Sequence, residues 1–242
     1  PVRERVLGAE HPDTLVTRNN LAWWTGSAGD GVAARDQLAA LLPVRERVLG
    51  AEHPDTLVTR NNLAWWTGSA GDGAAARDQY AALLPVRERV LGAEHPDTLS
   101  TRHGLAEWTG SAGDGAAARD QYAALLPVQE RVLGAEHPHT LSTRHNLAEW
   151  TGSAGDGVAA RDQYAALLPV RERVLGAEHP HTLTTRHGLA WWTGSAGDVV
   201  AAREQLAALL PVQERVLGAK HPDTLSTRQS LAWWKTRKAG RR

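Results

Sequence analysis

Apolar residues recur along the chain at three- and four-residue spacing, in two blocks that alternate from one end to the other. In the first block, Leu15, Leu21 and Ala22 fall on one side of a helix. In the second block, Leu38 and Leu41 begin an apolar series with the same helical spacing. No segment of the sequence shows the alternation typical of a strand. The pattern therefore predicts an all-α chain made of helix pairs.

Local signals set the limits of both helices. Proline suits the first position of a helix, so the first helix is predicted to begin at Pro12 and to end near Gly26. Asp30 follows a glycine-rich turn and is placed to cap the second helix, which is expected to end at Gly50.

Pro43 interrupts the apolar series of the second helix. A proline inside a helix removes one backbone hydrogen bond and costs about 3 kcal/mol. Either the helix continues with a kink at Pro43, or it ends near Leu42 and a short new helix begins at the proline. Because the apolar pattern continues past Pro43, we favour a kinked, continuous helix.

The two helices belong to a 42-residue unit that is repeated almost letter for letter. Such periodicity is typical of solenoids, in which each hairpin contacts only its neighbours. We therefore predict one elongated array rather than a globular domain. Its units are 1–42, 43–84, 85–126, 127–168, 169–210 and a partial unit 211–242, which ends in a basic tail at 235–242.

Composition narrows the classes of function. The 27 basic residues balance the 27 acidic ones, which argues against a nucleic-acid or anionic-membrane partner. The absence of cysteine excludes disulfides and thiolate metal sites. No apolar run approaches the roughly 20 residues of a membrane span. We expect a cytoplasmic protein. Since Pro1 falls in the middle of a predicted helix, we also expect the chain to continue on its N-terminal side.

The small and aliphatic positions of the unit resemble the tetratricopeptide pattern. Leu21, Ala22 and Ala34 match it, whereas Arg18 and Thr25 stand where the family has aromatic residues. The longer unit, with its His-Pro step, resembles the kinesin light chain type of tetratricopeptide and the arrays that follow nucleotide-binding modules in bacterial signalling regulators. This resemblance implies a right-handed α-solenoid of tandem antiparallel helical hairpins that binds other proteins.

Comparison of the repeats with one another separates two sides of the first helix. The positions that change are those of Asp13, Val16, Asn19, Asn20 and Trp23, which fall within an arc of roughly 120° at about 100° per residue. The unchanging positions lie opposite, as expected if that side packs and the variable side does not. A solvent-facing stripe that drifts after duplication, without a ligand, would give the same pattern.

The family resemblance places a concave groove on the variable side. We therefore predict a partner-binding surface there, in which exposed tryptophan rings anchor the partner. The predicted surface consists of Val16, Asn19, Trp23, Val58, Asn61, Trp65, His103, Glu107, His145, Glu149, His187, Trp191, Gln229 and Trp233. A second tryptophan series never changes and is predicted to pack between neighbouring repeats: Trp24, Trp66, Trp108, Trp150, Trp192 and Trp234.

Few residues suggest chemistry. His103 with Glu107, and His145 with Glu149, have the spacing of a helical metal site. A hydrogen-bonding groove floor is the better explanation, because equivalent helices of adjacent repeats lie roughly 20 Å apart at about 10 Å per packed helix. The segments 137–139 and 179–181, both His-Pro-His, are better explained as helix starts. We predict neither a metal nor a cofactor.

Two functions remain open. An active site would break the symmetry of the repeats, and nothing in the sequence does so, which favours a non-catalytic scaffold that binds a peptide or protein in the groove. The alternative is head-to-tail self-assembly, in which the N-terminal end of one molecule stacks on the C-terminal end of another and the contact propagates. The basic tail is expected to cap the array.

Overall fold

The computed structural model describes residues 2–237, and within them every regular element is an α-helix. The chain divides into two compact units, Pro1–Ala117 and Ala118–Arg242. The helices are α1 Val2–Leu7, α2 Pro12–Ser27, α3 Gly31–Leu49, α4 Pro54–Ser69, α5 Gly73–Leu91, α6 Pro96–Ser111, α7 Gly115–Val132, α8 Pro138–Ser153, α9 Gly157–Leu175, α10 Pro180–Ser195, α11 Val199–Val216 and α12 Pro222–Lys235. Most of the basic tail, residues 238–242, lies outside the described residues.

The even-numbered helices are the first helices of the repeats, and all of them begin at the proline of the His-Pro step. In α2, the Nδ1 atom of His11 accepts a hydrogen bond of 3.2 Å from the backbone N–H of Asp13. The same cap occurs at His137, which confirms that the His-Pro-His segments are helix starts. Side-chain capping satisfies one of the N–H groups that a helix start leaves without a partner.

The odd-numbered helices from α3 onward are the second helices. Asp30 caps α3 by accepting a 3.0 Å bond from the N–H of Ala33, as predicted. Gly50 ends the helix with a φ of +104°, a backbone conformation that favours glycine. Pro43 lies inside α3, so the prediction of a continuous helix is confirmed.

Each compact unit is a stack of antiparallel hairpins with its core between adjacent helices. In the first unit, Ala22 and Ala34 are fully buried and form a cluster with Leu38 and Trp66. In the second unit, the equivalent cluster contains Ala148, Ala160, Tyr164 and Trp192. The predicted all-α fold of tandem helical hairpins is confirmed.

Within residues 2–237, no helix combines the length and the apolar character that crossing a membrane requires.

Candidate functional site

The variable positions of the first helices form a set that we call the variable row. It consists of the predicted partner-binding residues, from Val16 to Glu107 in the first unit and from His145 to Trp233 in the second. Most of these side chains are half-buried. Trp23, Gln229 and Trp233 are exposed, and Asn19 is only 5% exposed. The row therefore lies at the boundary between core and solvent.

The asparagines of the row are hydrogen-bonded to their neighbours. Asn19 accepts a 3.1 Å bond from the hydroxyl of Thr59 on the next first helix. Asn61 accepts a 3.2 Å bond from the guanidinium of Arg87, which also donates to the hydroxyl of Thr101 at 2.8 Å and to the carbonyl of Leu57 at 3.2 Å. These bonds join the hairpins and give the two Nη groups of the buried Arg87 their acceptors, while its Nε–H has no partner among the described residues.

His145 takes the place of asparagine in the second unit. Its Nδ1 atom lies 3.3 Å from Nη1 of Arg171, which also donates to Thr185 and to the carbonyl of Leu141. Because arginine can only donate, this nitrogen of the imidazole is the acceptor. Burial, aided by the charge of Arg171, lowers the pKa of His145 to about 3, so the ring is neutral at physiological pH. Neutral histidine thus replaces asparagine as an acceptor for the buried arginine.

The residue that directly follows the asparagine or histidine of the variable row packs against the second helix of the preceding repeat. A Cβ added at Gly104 would lie 2.5 Å from Cζ of Tyr80, so only glycine leaves room for the tyrosine ring. Asn146 occurs at the same position, and its amide donates a 3.0 Å bond to the hydroxyl of Tyr122.

The expectation that the variable side does not pack is therefore wrong at two of its positions, those of Asn19 and Asn20. A first helix of a stacked hairpin contacts its own second helix and helices of the repeats on either side. Periodicity within one helix identifies only the most apolar of these contacts. The sequence reasoning missed the buried partners Tyr80 and Arg87, although one signal was present, because the bulky Tyr80 and Tyr164 are each followed 24 residues later by a glycine.

The tryptophans of the row have one packed side and one accessible side. Trp23 lies edge-on to Trp66 with 5.4 Å between ring centroids, yet remains 36% exposed. Trp191 and Trp233 lie side by side, with centroids 5.0 Å apart, and Trp233 is 37% exposed although the guanidinium of Arg237 lies 3.7 Å from the centre of its ring. An amphipathic ring that is held by packing and still reaches solvent is typical of an interface anchor.

In the middle repeats, glutamate replaces the tryptophan of the row. Glu149 accepts a 3.1 Å bond from the indole N–H of Trp192 and a 3.1 Å bond from the hydroxyl of Tyr164. Where the row carries tryptophan instead, the indole N–H of Trp66 has no hydrogen-bond partner among the described residues. His103 and Glu107 are half-buried as well.

Within each compact unit, invariant tryptophans pack against the preceding hairpin. Trp66, Trp192 and Trp234 are 8%, 8% and 2% exposed, respectively, as predicted. Trp24 is 69% exposed, so the prediction is wrong for this residue. Trp66, Trp192 and Trp234 are covered by the preceding hairpin of the same compact unit, whereas only the short helix α1 precedes Trp24 among residues 2–237.

The described residues contain no group of three or more His, Cys, Asp or Glu side chains that could hold a metal ion. His145 and Glu149, one of the pairs with metal-site spacing, are engaged with Arg171, Tyr164 and Trp192. The pair contributes to the contacts between hairpins.

The profile of a family described as tetratricopeptide repeat matches five consecutive 42-residue segments of the sequence, at residues 14–55, 56–97, 98–139, 140–181 and 182–223. The chain belongs to the tetratricopeptide repeat family. The resemblance seen in the sequence is thereby confirmed, together with the 42-residue period. Proteins of this family are in general non-catalytic scaffolds for interactions between proteins.

Solved structures contain the same repeat fold. A Podosopora anserina protein described as kinesin light chain-like, with nearly identical TPR-like repeats, is 25% identical, with a TM-score of 0.70 over 85% of this array and 98% of that chain. BtubC (BKLC) from P. vanneervenii is 19% identical, with a TM-score of 0.72 over 91% and 89%. A Rap protein complexed with Competence and Sporulation Factor is 11% identical, with a TM-score of 0.68 over 96% and 74%. No protein with curated annotation matches the tetratricopeptide array.

Proposed function

We propose that this tetratricopeptide array is a non-catalytic scaffold that binds a peptide or protein segment along the variable row. The observation that carries the proposal is the pair Trp191 and Trp233. Their rings lie 5.0 Å apart and Trp233 is 37% exposed, on the side of the first helices where the repeats differ. Aromatic residues of this kind dominate the energetics of protein interfaces.

The polar members of the row favour a partner segment of mixed chemistry. His187 is half-buried and bonded to Ser230 at 3.1 Å, whereas Gln229, the residue before Ser230, is exposed and able to donate and accept hydrogen bonds. A partner would place apolar side chains on the indole rings and satisfy its backbone on amides such as that of Gln229. The balanced charge of the chain favours a protein partner over nucleic acid or a membrane, and we place the scaffold in the cytoplasm.

The Rap protein of the same fold was solved in a complex with Competence and Sporulation Factor, so a chain with this arrangement of helices can hold a ligand. At 11% identity the likeness concerns the fold alone, and the residues that would bind a partner here are argued from this chain.

Selection from a displayed random-peptide library on the full chain tests the proposal. The test variant is the double substitution Trp191→Glu with Trp233→Glu. The chain already carries glutamate at this position in Glu107 and Glu149, so the helices tolerate the exchange. Val200→Ser is the matched control, because Val200 is 44% exposed on α11, a second helix.

We expect the wild type and the control to enrich the same peptides and the double variant to bind them at least tenfold more weakly. Two results would refute the proposal: no enrichment over an unrelated helical repeat protein, or equal binding of the enriched peptides by the double variant. Circular dichroism establishes that the variants are folded.

A further inference from the structure

A cavity of about 410 Å³ lies between three consecutive helices of the first compact unit, α3, α4 and α5. Its walls combine apolar with polar side chains, namely Leu42, Leu63, Ala82, Glu46, Arg60 and Gln79. None of these positions changes in any repeat of the sequence. The volume lies at the lower end of the range for small-molecule sites, roughly 300–1,000 Å³.

Arg60 brings an unpaired positive charge to this cavity. Its side chain is half-buried, and within residues 2–237 it forms no ion pair, although Glu46 lines the same cavity. The amide oxygen of Gln79 lies 3.4 Å from the hydroxyl of Thr67, while its N–H groups have no acceptor among those residues. A guanidinium presents paired N–H donors that match the two oxygens of a carboxylate, and the amide can add a further donor.

The second compact unit contains an equivalent cavity in which the arginine is already paired. The same residue types line it, on α7, α8 and α9, and they enclose about 280 Å³. Arg144 donates to Oε1 of Glu130 from Nη2 at 2.6 Å and from Nε at 3.2 Å. The arginine of this cavity therefore binds a carboxylate, and in the first unit Glu46 does not supply one.

The remaining walls limit which carboxylate fits beside Arg60. Leu63 packs against the buried cluster around Trp66, and Leu42 is half-buried on α3, so both offer apolar surface whose burial is favourable. Glu46 adds a negative charge that would repel a second anionic group. The cavity therefore suits a ligand with an apolar body and a single carboxylate.

We propose that this cavity is a binding site for a small monocarboxylate with an apolar body. The guanidinium of Arg60 binds the carboxylate, and the amide of Gln79 donates to it. The apolar body lies against Leu42 and Leu63, in the space that the small side chain of Ala82 leaves open. Arg60 and Leu63 occupy unchanging positions opposite the variable row, so the inference is independent of the proposed peptide surface.

Methyl NMR of the full chain tests the proposal at this one cavity. The reporter is Leu63, assigned by Leu63→Met, and the reference is Leu99 of α6, which does not line the cavity. The chain is titrated with octanoate and with 4-phenylbutyrate, and each acid is compared with its primary amide, which has the same apolar body without the charge. We expect both acids, and neither amide, to move the Leu63 signals while those of Leu99 stay. Because the reporter belongs to one repeat, binding at another repeat does not obscure the result.

Two changes of charge should have opposite effects on the titration. Arg60→Gln removes the cation and should weaken binding of the acids at least tenfold. Arg35→Gln is the matched control, because it removes a cation of α3 that is paired with Asp36 at 2.7 Å, and it should leave binding unchanged. Glu46→Gln removes the like charge beside the ligand and should make binding tighter. A purely structural role of these residues would not give effects of opposite sign.

A change of volume tests the apolar part of the site. Ala82→Leu fills the cavity and should abolish movement of the Leu63 signals. Ala81→Leu adds the same side chain at the neighbouring exposed position of α5, outside the cavity, and should leave binding unchanged. Circular dichroism establishes that every variant is folded.

Three results would each overturn the proposal: no movement of the Leu63 signals at millimolar acid, equal movement with the amides, or unchanged binding in Arg60→Gln and Ala82→Leu. The tripeptide Gly-Gly-Phe, which ends in a free carboxylate, is titrated in the same way. If it bound at least tenfold more tightly than both acids, the cavity would belong to a polypeptide end, and the assignment to a small molecule would be wrong.

Discussion

The indole ring of Trp108 lies directly over Gly68, so that a Cβ added at Gly68 would stand 2.5 Å from three of its ring atoms. This contact joins consecutive hairpins, and it places glycine in the last turn of α4, although glycine has a lower helix propensity than alanine. Packing and helix propensity therefore make opposite demands on this residue, and substitution shows which one dominates.

Gly68→Ala is expected to destabilise the array. Alanine gains helix propensity, but the clash with the ring forces the hairpins apart, and overpacking of this kind costs about 1–3 kcal/mol. Gly73→Ala is the control, because a Cβ there would lie 3.6 Å from the same ring, at ordinary contact distance. Thermal unfolding followed by circular dichroism should give a lower Tm for the first variant and an equal or higher Tm for the second. A higher Tm for Gly68→Ala would contradict this account of the contact between Gly68 and Trp108.

The buried His145 makes stability depend on pH. Its pKa is lowered from 6.5 to about 3 in the folded chain, chiefly by burial, so between these values the unfolded chain binds more protons than the folded one. Stability is therefore complete well above pH 6.5 and falls as the pH decreases, by about 2 kcal/mol between pH 7 and pH 5.

His145→Asn should remove most of this loss, since Asn61 accepts from Arg87 in the first unit as His145 does from Arg171 in the second. Urea unfolding at pH 7 and pH 5 measures the difference between wild type and variant. An equal loss in both proteins would show that another group carries the dependence. His187, whose pKa is also lowered by burial, is the next to replace.

Gln213 is a buried residue with no hydrogen-bond partner for its amide among residues 2–237. The equivalent Arg171 reaches the hydroxyl of Thr185 at 2.7 Å and the carbonyl of Leu141 at 3.0 Å. Gln213→Arg should restore these bonds to Thr227 and to the carbonyl of Leu183, and should raise the free energy of unfolding by about 1 kcal/mol after the cost of burying the cation.

The reverse exchange, Arg171→Gln, is expected to lower the free energy of unfolding by a similar amount, because it leaves the Thr185 hydroxyl and the Leu141 carbonyl without their donor. Chemical denaturation measures the free energy of unfolding of both variants, Gln213→Arg and Arg171→Gln. If both variants were less stable than the wild type, the hydrogen bonds that Arg171 makes in its repeat could not be formed by an arginine at position 213.

Helix limits could be predicted from the sequence because they depend on local chemistry. The proline of the His-Pro step, such as Pro12, is the first residue of a helix, and the carboxylate of Asp30 caps the helix that follows. The continuity of α3 through Pro43 was also predictable, since apolar positions persist on both sides of the proline.

The roles of Asn19, Gly104 and Trp24 could not be read from the periodicity of one helix. Asn19 and Gly104 are determined by neighbours tens of residues away, namely Thr59 and Tyr80. The exposure of Trp24 depends on which residues lie beside α2. It could not be predicted from the repeat, because residues 12–27 and 54–69 have the same sequence. Of the predicted surface, the tryptophans Trp23, Trp65, Trp191 and Trp233 stay predictions that only binding can test.

The most direct test of the scaffold proposal is the indole N–H spectrum of the full chain with a peptide selected on it, recorded by heteronuclear NMR and assigned by single Trp→Phe substitutions. The account predicts that the signals of Trp191 and Trp233 move on titration while that of Trp24 does not. Movement confined to tryptophans outside the variable row, with Trp191 and Trp233 unchanged, would contradict it.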